Sequence, residues 1–123
     1  MAMLKGLIDK LAQDPEQLRA KNCREWACRV AGATPINEVT LRRHHRTAGV
    51  IQNIRIDPRR GSGSVEATIT DGTGHLVAKW LGRQKLSGIR LGRGLIVEGM
   101  AGCDADGELV VLNPEYELVN GPG

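Results

Sequence analysis

The chain has 123 residues, a formal charge of +3 and a calculated isoelectric point near 9.0. This length predicts one domain, with an appendage at most, that can bury its own hydrophobic core. No run of about 18 apolar residues is present, which excludes a transmembrane helix, and residues 1–11 lack the long apolar region of a secretory signal. Because the three cysteines are an odd number, we expect free thiols and a cytoplasmic location.

Charge is distributed unevenly along the chain. Residues 36–100 hold eleven Lys and Arg against five Asp and Glu, a net charge of +6, and residues 1–35 have a net charge of +2. Residues 101–123 hold five acidic residues and no Lys or Arg. A basic central region is the electrostatic footprint of a polyanion binder, although ordinary solvated surface charge produces the same pattern.

Two short amphipathic helices are predicted at the N-terminus. Leu4 to Leu11 carries apolar residues at the i, i+3, i+4 and i+7 spacing of one helical face. Asp14 and Pro15 then form a helix start, and the second helix runs to about Val30 before Gly32 ends it. Its expected buried stripe consists of Cys23, Trp26, Ala27 and Val30. These helices must bury their stripes on the β-domain, on each other or on a second copy of the protein.

The first predicted strand begins near Arg42. The alternation places Val50, Ile54 and Ile56 on one face, with Asn53 and Arg55 on the other. A glycine inside a long strand favours a bulge or a sharp bend, and this prediction falls on Gly49. The basic segment 58–64 follows as a flexible loop.

Residues 65–81 predict a β-hairpin, because apolar and polar residues alternate on both sides of a turn at Asp71–Gly74. Pairing Thr70 with His75 places Glu66 opposite Lys79 on the polar face. A shift of one residue would mix the two faces, which a half-buried hairpin does not tolerate. The apolar pairs in this register are Ile69 with Leu76, Ala67 with Ala78 and Val65 with Trp80.

Two more strands are predicted, Leu95 to Ala101 and then Leu109 to Leu112, the latter continuing toward Leu118. Five strands, the first long and bent, fit a mainly β fold: a five-stranded Greek-key barrel of the OB type with an N-terminal helical pair. Other small antiparallel barrels have similar strand counts. The expected organisation is a helical extension at 1–35, the barrel at 36–119 and a tail at 120–123.

From Thr47 onward the sequence resembles the OB-fold nucleic-acid-binding superfamily. It is most similar to the OB domains of RecG-type DNA helicases and to tRNA-anticodon-type OB domains, and in particular to small stand-alone bacterial OB proteins. The helicase motor motifs are absent, since no Gly-x-x-x-x-Gly-Lys-Ser/Thr loop occurs. The resemblance is carried by Gly49, the Asp71–Gly74 turn with Leu76, Trp80–Arg83, Gly92, Arg93, Val97–Gly99 and the ending Asn113–Tyr116.

This resemblance implies a ligand face. OB domains bind single strands across strands two and three and between the adjoining loops. Lys and Arg there neutralise phosphates, which makes binding salt-dependent and poorly sequence-specific. The acidic loop at Asp104, Asp106 and Glu108 departs from a basic cleft and would repel phosphates at one rim. The residues that map to the face and its rim are Arg55, Arg59, Arg60, Thr68, His75, Lys79, Arg83 and Lys85.

Trp80 is a candidate stacking platform, because base stacking on an aromatic side chain contributes about 1–3 kcal/mol per base. The hairpin register instead favours a core position for Trp80, beside Val65 and Ala78. The chain has no Phe, so few other aromatic side chains are available for base stacking. Binding through the charge of the nucleic-acid backbone is therefore expected to dominate.

No cofactor, metal or catalytic residue is predicted. Cys23 and Cys28 lie about 140° apart on a helix, and the adjacent His44 and His45 point to opposite faces of a strand, so these four residues do not form a zinc site. We therefore expect a non-enzymatic protein that binds nucleic acid, single-stranded DNA in preference to RNA, in DNA repair or recombination. The alternative is a protein-interaction or self-association module that uses the N-terminal helices or the acidic tail.

Overall fold

A computed structural model describes residues 15–59, 63–83 and 85–122. The described chain contains one α-helix, a single 3₁₀ turn at Ile36–Glu38 and six β-strands. No helix in these ranges is long and apolar enough to cross a membrane. The elements are α1 (Pro15–Cys28), β1 (His44–Asp57), β2 (Ser64–Thr70), β3 (His75–Leu81), β4 (Gly94–Cys103), β5 (Leu109–Leu112) and β6 (Glu115–Val119).

The six strands form one sheet in the order β1-β2-β3-β5-β4-β6. An additional β1–β4 pairing closes the first five strands into a ring. The β3–β5 pairing is parallel and the others are antiparallel. β1 is long because its first half pairs with β4 and its second half pairs with β2. The prediction of a mainly β chain is confirmed, with one more strand than expected.

The interior of the ring is an aliphatic core with a single Trp. Ile36 and Leu86, which lie outside the strands, complete it from the connecting segments. The strands contribute Ile51, Val65, Ala67, Ile69, Leu76, Ala78, Trp80, Leu95, Val97 and Val111. Every second residue of β2 and β3 therefore points inward, as the alternation predicts. The predicted hairpin register is confirmed, with Thr70 opposite His75 and Glu66 opposite Lys79.

Two details of β1 differ from the prediction. The bulge lies at Gln52, where the register with β2 shifts between Ile51 and Asn53. Val50 therefore lies on the opposite face from Ile54, and the prediction that they share a face is wrong. Gly49 has a different role: a Cβ atom there would lie 2.9 Å from the Cβ atom of Ile69, so the close approach of β1 to β2 requires glycine.

The predicted fifth strand is two strands. Asn113 adopts a φ of 48°, and Pro114 follows it without a backbone N–H to donate. β5 consequently ends at Leu112 and pairs with β3, whereas β6 begins at Glu115 and pairs with β4.

α1 packs against the outside of the ring. A Cβ atom at Gly72 would lie 2.0 Å from the carbonyl oxygen of Ala20, so the helix rests directly on the β2–β3 turn. Near the other end of α1, the indole N–H of Trp26 donates to the Asn120 carbonyl at 3.0 Å. Burial raises the pKa of the Cys23 thiol, and the charge of Asp71 raises it further. The second predicted helix is thus confirmed and packs on the domain, but it ends at Cys28, two residues before the predicted end near Val30. The prediction for Leu4 to Leu11 lies outside the described residues.

Asp71 joins the β2–β3 turn to the segment that precedes β1. Its carboxylate accepts hydrogen bonds from the backbone N–H of Ile36 at 2.8 Å and from the N–H and hydroxyl of Thr73 at 2.9 and 2.6 Å. Asp71 is only 2% exposed and Ile36 only 1%. Because both residues are almost fully buried, the Ile36 amide depends on the carboxylate for its partner.

We therefore expect Asp71→Ala to lower the free energy of unfolding by about 3 kcal/mol, since a buried donor left without a partner costs roughly 1–3 kcal/mol and the Thr73 contacts are lost as well. Asp106→Ala is the control, because Asp106 lies in an exposed turn and its side chain accepts no hydrogen bond within the described ranges. Urea denaturation measures both variants. Equal stability of the two variants would contradict this role for Asp71.

Candidate functional site

The outer side of the sheet carries three rows of side chains that cross neighbouring strands, and we call this surface the outer face. The strand register places the rows beside one another. The residues that alternate with them in β2 and β3 point into the core. The middle row consists of Arg55, Glu66, Lys79 and Leu112. The flanking rows are Asn53, Thr68, Val77 and Val110 on one side and Asp57, Ser64 and Leu81 on the other.

Lys79 lies near the centre of the outer face and is paired with an acid. Its Nζ atom lies 3.4 Å from Glu66 Oε1 across the β2–β3 ladder. The two side chains are 34% and 23% exposed, so both remain in contact with solvent. A pair at this exposure contributes at most about 1 kcal/mol. The Lys79 ammonium group can therefore exchange Glu66 for another anion at small cost.

Arg59 lies where β1 leads into the loop before β2, and it is also paired. Its guanidinium group donates to both carboxylate oxygens of Asp57, with the closest contact at 2.6 Å. These hydrogen bonds lower the pKa of the Asp57 carboxyl group and raise the pKa of Arg59. Arg59 thus extends the basic rim, but its charge is offset by Asp57.

Arg55 and Arg83, unlike Lys79 and Arg59, have no acidic partner among the described residues. Neither forms an ion pair with any residue in the part of the chain that the structure describes, and both side chains are exposed. Arg55 stands beside Glu66 in the middle row. Arg83 follows Gly82, whose N–H donates to the carbonyl of Gly63 at 2.7 Å and so joins the end of β3 to the loop before β2.

The remaining predicted residues lie farther apart. Thr68 is half-buried on the outer face between Asn53 and Val77. His75 begins β3, four residues from Lys79, which is about 13 Å along a strand. Lys85 lines a separate groove of about 400 Å³ with Ile54, Ile56 and Leu86. Arg60 lies outside the described residues.

Trp80 belongs to the core and does not offer a stacking surface. The side chain is 3% exposed, and its indole N–H donates to the Pro114 carbonyl at 3.0 Å. The ring of Tyr116 packs edge-on against it, with the ring centroids 5.3 Å apart. The core position that the hairpin register favours for Trp80 is therefore confirmed. The alternative, Trp80 as a stacking residue, is corrected, since a base cannot reach either face of a ring that the core encloses.

The acidic loop between β4 and β5 bounds the outer face at the His75 end. Asp104 closes this loop by accepting hydrogen bonds from the N–H groups of Asp106 and Glu108, each at 2.9 Å. β5 follows immediately, and its Val110 pairs with Val77. The basic side of the outer face is therefore the opposite end, where β1 and β3 approach the loop before β2.

Sequence reasoning missed the apolar part of the outer face. Val77 and Leu81 lie two residues either side of Lys79, so the period of two could have placed them beside it. Leu112 carries no such signal, because its position next to Lys79 depends on the long-range parallel pairing of β3 with β5.

Comparison with solved structures identifies the architecture. The chain superposes on part of RecG, in a structure of RecG bound to a three-way DNA junction, with a TM-score of 0.60 and 19% identity over 93% of this chain. The chain has the OB fold. The match spans only 16% of the RecG chain, and at this identity the similarity concerns the fold alone.

A second solved structure matches less closely. A chain of a Replication Protein A heterotrimer bound to ssDNA aligns with 62% of this chain and 57% of its own length, with 20% identity and a TM-score of 0.49. No protein-family model matches the sequence, and a comparison with curated proteins finds no match either. The OB fold predicted from the sequence is confirmed by the superposition on RecG and not by sequence similarity.

Proposed function

We propose that this chain is a non-catalytic OB-fold domain that binds single-stranded DNA on the outer face with low sequence specificity. The single observation that carries the proposal is the row of Arg55, Glu66 and Lys79 across the centre of that face, with Arg59 and Arg83 at its rim. Arg and Lys bind phosphate oxygens without reading bases, so this arrangement supports binding along a nucleic-acid backbone.

The preference for DNA over RNA rests on the similarity to RecG. The RecG structure that superposes on this chain was solved bound to a three-way DNA junction. We infer from it that DNA is the ligand and that the chain serves DNA repair or recombination.

The alternative proposal is a module for protein interaction or self-association. It is favoured by the opposite side of the ring, where Glu98 of β4 pairs with Glu115 of β6 and Glu117 lies two residues further on. Arg46 offsets part of this charge through Glu98 at 2.5 Å and Glu117 at 4.0 Å. A basic protein segment would suit this surface, whereas a nucleic acid would be repelled from it.

Fluorescence anisotropy with labelled single-stranded DNA, single-stranded RNA and duplex DNA tests the two proposals against each other. Binding of single-stranded DNA in the micromolar range at low salt supports the first. Absence of binding to all three probes, together with self-association in sedimentation, would overturn it in favour of the second.

Glu66 competes with phosphate for Lys79, which leads to a second test. We expect Glu66→Gln to tighten single-stranded DNA binding roughly two- to five-fold, because the variant removes a repulsive carboxylate and an ion pair worth at most about 1 kcal/mol. Glu117→Gln is the matched control, since it also removes one negative charge but lies on β6, away from the outer face. Equal gains in both variants would show that net charge alone, and not the outer face, determines affinity.

A further inference from the structure

Four aliphatic side chains surround Lys79 on the outer face, and we call them the aliphatic strip. Leu81 and Leu112 are 49% and 56% exposed, and Val77 and Val110 are half-buried. The strip occupies β3 and β5, because Val77 pairs with Val110 and Leu112 pairs with Lys79. It forms the apolar half of a surface whose other half, on β1 and β2, is polar and charged.

The core does not account for the aliphatic strip. The inward positions of the same two strands are filled by Leu76, Ala78, Trp80 and Val111, all of which are buried. An exposed Leu on its own is ordinary, but several apolar side chains grouped around a charged one are typical of a contact surface. The position of the strip beside Lys79 links it to the middle row, which carries the cations Arg55 and Lys79.

We propose that the aliphatic strip contacts the unstacked bases of a single strand whose phosphates lie over Arg55 and Lys79. This inference rests on the proposed function and deepens it by naming the chemistry of the ligand. Leu112 stands one strand spacing, about 4.8 Å, from Lys79. That separation matches a chain in which a charged backbone and an apolar base lie side by side.

The strip replaces the aromatic platform that this chain lacks. A base has an apolar face, and covering exposed leucine side chains with it removes apolar surface of both partners from water. A duplex cannot do the same, because its bases are stacked inside the helix and only its phosphates and grooves meet a protein. The strip therefore selects single strands over duplexes, which the cations of the middle row alone cannot do, because they bind phosphates of either.

The test compares an ordinary single strand with an abasic single strand of equal length, which keeps every phosphate but removes the bases. Affinities for both are measured by anisotropy for the wild-type protein and for the double variant Leu81→Ala, Leu112→Ala. The control is Leu41→Ala with Leu91→Ala, because these leucines are also 49% and 66% exposed but lie outside the outer face.

We expect the wild-type protein to bind the ordinary strand roughly ten-fold more tightly than the abasic strand. The strip variant should lose this difference and retain its affinity for the abasic strand, while the control variant should behave as wild type. Because the substituted leucines are exposed, both variants are expected to fold, which circular dichroism verifies.

Three outcomes would overturn the inference. Equal wild-type affinity for the two strands would show that bases make no contact, while leaving the proposed function intact. An equal loss for both strands in the strip variant would indicate a general distortion of the sheet. If the strip variant changed its oligomeric state in sedimentation but kept the wild-type ratio of affinities for the ordinary and the abasic strand, the strip would be assigned to protein contact. Failure of the wild-type protein to bind either strand would instead overturn the proposed function itself.

Discussion

Reversing the charges of Arg55 and Lys79 to Glu is expected to weaken single-stranded DNA binding roughly 30- to 100-fold at about 50 mM salt. Both cations stand in the middle row of the outer face, and the reversal replaces two phosphate contacts with two repulsions beside Glu66. Each phosphate contact to a single strand contributes about 0.7 to the slope of log affinity against log salt. The magnitude of this slope should therefore be about 1.4 smaller for the variant than for the wild-type protein. Anisotropy at several salt concentrations measures it.

The matched control reverses Lys21 and Arg43, which are exposed on α1 and just before β1. It changes the net charge of the protein by the same amount without altering the outer face. A loss of less than about three-fold is expected for this control, since separated surface charges are screened beyond a Debye length of about 10 Å. Similar losses in the two variants would contradict a binding site on the outer face.

Trp80 is expected to support the fold without supporting binding. Trp80→Ala should lower the free energy of unfolding by about 4 kcal/mol, because it empties a large part of the core. Trp80→Phe fills most of that space but leaves the Pro114 carbonyl without its donor, so a loss of about 1–2 kcal/mol is expected. Single-stranded DNA affinity of Trp80→Phe should stay within two-fold of wild type.

Trp26→Phe provides the comparison, since it also removes an indole N–H that donates to a backbone carbonyl, but from a half-buried position on α1. Its stability loss should be smaller than that of Trp80→Phe in urea denaturation. A ten-fold loss of DNA affinity in Trp80→Phe at unchanged stability would contradict the core assignment and restore Trp80 as a stacking residue.

The hairpin could be predicted in detail because its signal is local. Alternation, the Asp71–Gly74 turn and the pairing of Glu66 with Lys79 all lie within seventeen residues of sequence, and a shift by one residue would bury polar groups. The face of each residue in β2 and β3 follows from that register. The burial of Trp80 follows for the same reason.

The parts that could not be predicted depend on contacts distant in sequence. The bulge at Gln52 is defined by the partner strand β2, and nothing in the local alternation of β1 favours it over Gly49. Leu112 joins the outer face only through the parallel pairing of β5 with β3. The ion pair of Arg59 with Asp57 could have been suspected from their spacing of two residues, but its bidentate geometry depends on the conformation of the loop.

The salt dependence of single-stranded DNA binding by the wild-type protein tests the electrostatic interface on the outer face most directly. If Arg55, Arg59, Lys79 and Arg83 each contact a phosphate, log affinity should fall with log salt with a slope of about −3. Micromolar binding at low salt with such a slope is the predicted result. No binding at low salt, or binding with a slope near zero, would contradict an electrostatic nucleic-acid interface on the outer face.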